Sequence, residues 1–209
     1  MDFMSLISRF MVVIPAFMAG LMYVRSPSRF FNWYLFGSLF TELILLITSG
    51  LDIVNWRVIY FFLLFELLFL GLTYSDFSKP GKPSGWVKVV TLIGLLICFA
   101  FHWLSYPLLV YGFRNLFLVL LACWFLAYFI KQDKSSSLWL SARMWIATGI
   151  FINFFAVSVV SMLLKPEQSW GDLNLSSANV IILLAVKVLS NSMYAIGLYR
   201  SGNENGNYR

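Results

Sequence analysis

Two ionisable side chains of opposite charge, Glu66 and Lys187, lie deep inside long apolar stretches of this chain. Lys187 is about ten residues from either end of its stretch, so at ~1.5 Å per residue we expect it ~15 Å deep in a bilayer. An ionised ammonium at that depth costs at least ~2.5–3.5 kcal/mol, so it needs a partner, a lowered pKa or a covalent adduct. Glu66 has the same predicted depth. The sequence therefore predicts that the two residues pair, as ions or after proton transfer.

Other polar side chains share this depth or lie nearer one surface. Asn191 and Tyr194 follow Lys187 at helical spacing and share its face. The predicted ligand- or proton-binding candidates are Glu66, Lys187, Asn153, Asn191, Tyr194 and Glu42. A second, outer polar layer contains Arg9, His102 and Arg114. Within these sets Glu42 could pair with Arg9 or Arg114, and the alternative role for all of them is to fix helix packing and register.

Motifs of known catalytic or metal chemistry are missing from the sequence. There is one histidine, and no Cys/His cluster has the spacing of a metal site. No phosphate-binding glycine loop and no nucleophile with a histidine base can be recognised. We therefore predict no catalytic residues, no metal and no resident cofactor, with retinal on Lys187 as the alternative.

The composition is that of a membrane protein. Hydrophobic residues make up 60% of the chain and charged residues 11%, against about 25% charged in soluble domains. The net charge of +6 lies mostly in short segments between apolar stretches, which favours a membrane topology signal over nucleic-acid binding. The expected partner is thus the lipid bilayer, with a membrane protein or a second copy of the chain as a further possibility, and no nucleic acid.

Seven apolar runs are long enough to span a bilayer. They cover residues 4–24, 30–49, 56–74, 86–106, 109–130, 138–164 and 178–199. The break at Tyr106-Pro107 carries no charge, so the sequence leaves open whether it is a loop or a kink. We predict an all-α bundle of seven transmembrane helices that forms a single domain over residues 1–209, with no soluble domain.

The distribution of basic residues predicts the orientation. Ten fall on one side of the predicted membrane: Arg25, Arg29, Lys79, Lys82, Lys88, Lys131, Lys134, Arg143, Arg200 and Arg209. Four fall on the other side: Arg9, Arg57, Arg114 and Lys165. Because cytoplasmic loops carry the excess of Lys and Arg, we expect the N-terminus outside and the C-terminus in the cytoplasm, in a bacterial inner membrane.

A deep carboxylate in the third span and a deep lysine in the seventh resemble the arrangement of microbial rhodopsins, in which the lysine binds retinal and the carboxylate is its counterion. The chain departs from that family at Leu183, where an aspartate is usual four residues before the lysine. Its Trp103-Leu-Ser-Tyr106-Pro107 string also ends the fourth span, whereas the family has a similar motif in the sixth. These departures make retinal binding a less favoured alternative.

A second resemblance covers most of the chain. The pattern Asn55-x4-Tyr60-x5-Glu66-x7-Tyr74, with a glutamate in the preceding span and a last span rich in Asn and Tyr, resembles a group of uncharacterised seven-span proteins of Bacteroidetes. Some members of that group are associated with sensor kinases. The resemblance implies a signalling context and no defined activity.

These observations favour a non-enzymatic sensory or regulatory membrane module with a buried polar seam around Glu66 and Lys187. The alternative is a small-solute transporter or a proton pathway that uses the same seam. Two further alternatives are a retinal-binding protein and a lipid-modifying enzyme with its site near His102 and Arg114.

Overall fold

The computed structural model describes residues 28–50, 56–78, 82–104, 107–132, 141–163 and 177–206, and these ranges form six helices without a strand. The helices are α1 (Arg29–Gly50), α2 (Trp56–Phe77), α3 (Lys82–Trp103), α4 (Pro107–Gln132), α5 (Ala142–Leu163) and α6 (Ser177–Gly206). The predicted all-α class is confirmed for this part of the chain. The first predicted span, residues 4–24, lies outside it.

Four of these helices are long and apolar enough to cross a membrane. The qualifying segments are Ile59–Phe77, Gly85–Trp103, Leu109–Lys131 and Ala142–Val159, in α2 to α5. Their outer faces are apolar as well: Leu96 is 70% exposed and Phe61 69%. Surfaces of this kind are stable against lipid chains and not against water. The membrane class that the composition predicts is therefore confirmed.

Local sequence explains where several helices begin and how their polar side chains are accommodated. The Ser28 hydroxyl caps α1 by accepting a hydrogen bond from the Phe31 N–H at 3.4 Å. Pro107 is the first residue of α4, where a missing N–H costs nothing. Thr73 and Thr91 lie inside apolar segments, and each hydroxyl donates to the carbonyl four residues earlier. These bonds let polar residues occur inside membrane helices without an unpaired group.

The break at Tyr106-Pro107 separates two helices. The rings of Trp86 and Trp124 lie 5.3 Å apart, and those of Phe101 and Phe113 5.9 Å apart. The start of α3 therefore lies beside the end of α4, and the end of α3 beside the start of α4, so the two helices run antiparallel. The two helices are therefore separate antiparallel elements and not one kinked helix.

The helix α2 lies at the centre of the described bundle. Its Phe65 ring packs closely on Gly37 of α1, and its Gly71 packs on Thr91 of α3. Two of its aromatic rings, Tyr74 and Phe77, contact Phe125 of α4 at 5.4 and 5.6 Å. Any polar side chain on the buried face of α2 is therefore surrounded by three other helices.

The helix α6 closes the bundle against α5 and α1. Its Gly197 packs against Ile146 of α5, and its Tyr194 ring lies 5.2 Å from Phe31 of α1. It is the longest described helix, with 30 residues against 22 to 26 in the others. At 1.5 Å per residue this corresponds to about 45 Å, which exceeds the ~30 Å hydrocarbon core of a bilayer.

Candidate functional site

A buried ion pair between Glu66 and Arg114 forms the core of the polar site. Glu66 lies in the middle of α2 and Arg114 in the third turn of α4, and an Nη atom of the arginine contacts a carboxylate oxygen. Each residue is only 5% exposed. Two opposite charges removed from water in this way remain stable only if the rest of their polar atoms are satisfied as well.

Side chains of α4 and α5 contact the arginine as well. Its Nε donates a hydrogen bond to the Asn115 Oδ1 at 3.1 Å, and an Nη atom donates to the same oxygen. The guanidinium carbon lies 4.8 Å from the ring centre of Tyr111 and 5.3 Å from that of Phe154. A planar guanidinium combines such ring contacts with directed hydrogen bonds, which an ammonium group does less well.

The carboxylate of Glu66 has a second partner on α1. The Tyr34 hydroxyl, which is buried, donates a hydrogen bond to it. Hydrogen bonds to a charged group contribute more than those between neutral groups, about 1.5–3 kcal/mol. The site therefore joins α1, α2, α4 and α5 through one carboxylate and one guanidinium.

Two further tyrosine hydroxyls lie beside this cluster. The Tyr194 hydroxyl is close enough to Tyr34 and Glu66 to interact electrostatically with both, but its geometry does not meet that of a hydrogen bond. Tyr74 interacts in the same way with Tyr194, and its hydroxyl also lacks a hydrogen-bond partner. The side-chain nitrogen and oxygen of Asn32 and the Asn115 Nδ2 are buried and unpaired too. Unpaired buried polar atoms are uncommon and are usually explained by bound water or a ligand.

The structure gives Glu66 a partner that sequence analysis did not choose, and the pairing of Glu66 with Lys187 stays a prediction. Sequence analysis pairs Glu66 with Lys187 and assigns Arg114 to a separate outer layer, whereas the ion pair in the structure joins Glu66 to Arg114. Depth counted along each helix does not reveal which helices are neighbours, and an arginine side chain is long enough to reach a group one turn away. The two predicted layers therefore meet in one cluster.

Lys187 is half-buried on α6, at the depth of this cluster. Gly149 of α5 lies against Tyr194 and the Ser190 carbonyl of α6, and the two helices run antiparallel. Phe154, five residues after Gly149, is therefore level with Lys187. Because the Arg114 guanidinium lies over the ring of Phe154, Lys187 is also at the level of the ion pair.

The other predicted residues are distributed as follows. Asn191 is buried on α6, and Asn153 is half-buried on α5 next to Phe154. His102 is exposed near the end of α3, with its ring stacked on Tyr60 at 3.6 Å. It thus lies on the surface, whereas Arg114 is buried. Arg9 and the side chain of Glu42 lie outside the described residues, so pairing between them stays a prediction.

Within the described ranges no three side chains of His, Cys, Asp or Glu are close enough to hold a metal ion. The residues that sequence reasoning missed are Tyr34, Tyr74, Asn32, Asn115 and Tyr111. Asn115 follows Arg114 directly in the sequence. Two adjacent polar residues inside an apolar run could have indicated a buried polar site. The tyrosines have no such signal, because aromatic residues make up 19% of the chain.

The comparisons with known proteins add no assignment. No protein-family model, no curated protein and no solved structure matches this chain.

Proposed function

We propose that this chain is a non-enzymatic sensory or regulatory membrane module, and that its two-state element is the buried Glu66–Arg114 pair. The observation that carries the proposal is the position of this pair. Both charges are buried in the bundle, and the side chains that contact them come from three helices: Tyr34 of α1, Asn115 of α4 and Phe154 of α5.

A pair of this kind can act as a switch because its energy depends strongly on charge. Removing one partner of a buried ion pair costs about 3–5 kcal/mol, since the remaining charge is left uncompensated. Protonation of Glu66 has the same effect, because Arg114 stays charged. A term of that size is enough to move a helix bundle between two packings that differ by a few kcal/mol.

We further propose the topology that the basic residues predict: seven spans, the N-terminus outside and the C-terminus in the cytoplasm of a bacterial inner membrane. Lys187, Asn153 and Asn191 then extend the same seam towards α6. The signalling context comes from the resemblance to seven-span proteins associated with sensor kinases, and it makes a membrane protein the expected partner.

The proposal is tested by measuring whether loss of charge at Glu66 moves the helices. Spin labels are attached at two exposed positions, Leu120 of α4 and Leu189 of α6, in a chain that lacks Cys98 and Cys123. Pulsed electron resonance then gives the distribution of distances between the labels. We expect Glu66→Gln to shift this distribution to a second, defined maximum.

The matched control removes a positive charge elsewhere. Arg143 of α5 donates to the Phe77 carbonyl at 3.1 Å and lies outside the cluster, so Arg143→Gln should leave the distribution unchanged, whereas Arg114→Gln should alter it. If Glu66→Gln and Arg114→Gln both give the wild-type distribution, the pair is only a packing element and the proposal is wrong.

A further inference from the structure

Three tyrosine hydroxyls form a series between the middle of α2 and one end of the bundle. Tyr34 donates to Glu66. The rings of Tyr34 and Tyr194 both pack on Phe31, at 5.8 and 5.2 Å between ring centres. Tyr74 in turn interacts electrostatically with Tyr194. Tyr74 is eight residues after Glu66 on the same helix, or ~12 Å along its axis. The series therefore covers more than two helical turns of an otherwise apolar interior.

Several polar atoms along this series have no hydrogen-bond partner in the protein. The hydroxyls of Tyr74 and Tyr194 and both polar atoms of Asn32 are buried without a hydrogen-bond partner. Tyr74 and Asn32 are 0% exposed and Tyr194 is 2% exposed. A buried water molecule typically makes about three hydrogen bonds to groups of this kind. Water between these groups would connect the hydroxyls into one hydrogen-bonded chain.

The exposed carboxylate nearest this series along α2 is Asp76, at the end of the bundle where α1 begins and α2 ends. The Asp76 carboxylate accepts a hydrogen bond from the Ser28 hydroxyl at 3.0 Å. Asn32 lies one turn below Ser28 on α1. Lys88 and Arg143 are close enough to Asp76 to interact with its charge. Protons exchange readily with solvent at such a group.

On the opposite side of Glu66 the series meets a fixed positive charge. Tyr60 and Cys98 continue in that direction, and Cys98 lies within electrostatic reach of Arg114. An arginine is always ionised, and a buried arginine is a barrier to protons and other cations. A proton that moved from the Asp76 end to Glu66 would therefore meet a positive charge beyond it.

We propose that Tyr74, Tyr194 and Tyr34, with bridging water, form a one-sided proton path from the Asp76 end of the bundle to Glu66. This inference rests on the proposed function and names its signal: the proton concentration on the side where α2 ends. Other titratable or charged groups facing Glu66 in the described residues are Tyr34 of α1, Arg114 of α4 and Tyr194 of α6, with Lys187 of α6 at the same depth. The residue of α5 at this level, Phe154, is uncharged.

The transfer is balanced at each step. Each hydroxyl accepts a proton from the water before it and gives its own proton to the group after it. At the end one proton has left the solvent at the Asp76 end, and one O–H bond has formed on the Glu66 carboxylate. The cluster has gained one positive charge, and the pair with Arg114 has lost its attraction.

The test uses the full chain inserted in one orientation in lipid vesicles and follows the infrared band of a protonated carboxylic acid after a pH jump. Glu66→Gln identifies the band by removing it. In the wild type, acidification of the Asp76 side should produce the band rapidly, and acidification of the other side should not. Tyr194→Phe and Tyr74→Phe keep the rings and remove the hydroxyls, so each should slow its appearance by about a hundredfold.

Tyr128→Phe is the matched control, because the ring of Tyr128 stacks on Trp124 at 5.5 Å and its hydroxyl is outside the series. Its rate should equal that of the wild type. Unchanged rates in both Tyr194→Phe and Tyr74→Phe would overturn the path, as would an equal response to acid on either side or a net proton flux through the vesicles. The spin-label experiment separates the two proposals, since Glu66→Gln can move the helices whether or not the tyrosines carry the proton.

Discussion

The ring of Tyr194 packs directly on Gly149, where α5 and α6 cross. A Cβ atom at position 149 would lie 2.7 Å from the Tyr194 Cε1 and 3.0 Å from the Ser190 carbonyl oxygen. Small residues commonly allow membrane helices to approach this closely. The glycine therefore determines how near α6, and with it the Tyr194 hydroxyl, comes to the cluster around Glu66.

We expect Gly149→Ala to destabilise the protein by about 1–3 kcal/mol, the usual cost of overpacking. The Tyr194 ring can move, but the backbone carbonyl of Ser190 can do so only if α6 shifts. The free energy of unfolding, measured by titration with a denaturing detergent in mixed micelles, gives this cost. Gly112→Ala is the control, because nothing lies within 4 Å of a Cβ atom there. Equal stability of the two variants would contradict the close α5–α6 contact.

Removal of Arg114 should be among the most destabilising single changes in the described part of the chain. Arg114→Met leaves the Glu66 carboxylate buried without its partner, at a cost of about 3–5 kcal/mol. In Glu66→Gln/Arg114→Met no charge remains, so the double variant should lose less stability than the sum of the two single variants. The same unfolding titration provides the double-mutant cycle. Additive effects would show that the two side chains do not interact.

The tyrosines of the cluster should differ in their contribution to stability. Tyr34→Phe removes the hydroxyl that donates to Glu66 and should cost about 1.5–3 kcal/mol, the range for a hydrogen bond to a charged group. Tyr194→Phe removes a hydroxyl with no direct protein partner and should cost about 1 kcal/mol or less. Unfolding titrations of the two variants, made in parallel, provide the comparison. A larger loss in Tyr194→Phe would reverse the assignment of Tyr34 as the partner of Glu66.

The Ser28 hydroxyl has two roles, as the cap of α1 and as the donor to Asp76. Ser28→Ala removes both, and we expect a loss of about 0.5–2 kcal/mol in the free energy of unfolding. Ser192→Ala is the control, because the Ser192 hydroxyl is exposed and donates only to the Val188 carbonyl of its own helix. An unchanged stability in Ser28→Ala would mean that the link between α1 and α2 at this end contributes nothing.

The helices could be predicted from the sequence because each apolar run is long and is bounded by charges or helix breakers. The predicted runs 30–49 and 109–130 correspond to Arg29–Gly50 and Pro107–Gln132. The largest differences are at the ends, as in the last run, predicted to end at residue 199 and observed to continue to Gly206. Polar residues after Tyr199 mark the end of an apolar run but do not end a helix.

The site could be predicted only in part, because depth and polarity are properties of one helix and pairing is a property of two. Glu66 and Arg114 are recognisable as buried ionisable groups inside apolar runs. That they meet depends on α2 and α4 being neighbours and on the rotation of each helix. Neither follows from the apolar periodicity, since the outer faces of these helices are as apolar as the inner ones.

The length of α6 has a mechanical consequence. A continuous helix of about 45 Å cannot be contained in a hydrocarbon layer of ~30 Å, so part of it must project from the layer or tilt strongly. Tyr194 of this helix packs against Gly149 of α5 and Phe31 of α1. Because the helix is continuous, a small rotation of α6 at this contact would also turn the part that projects from the layer. Under the proposed sensory function, a change at Glu66 would therefore reach the projecting part of α6 through the helix itself, without a separate transmitting segment.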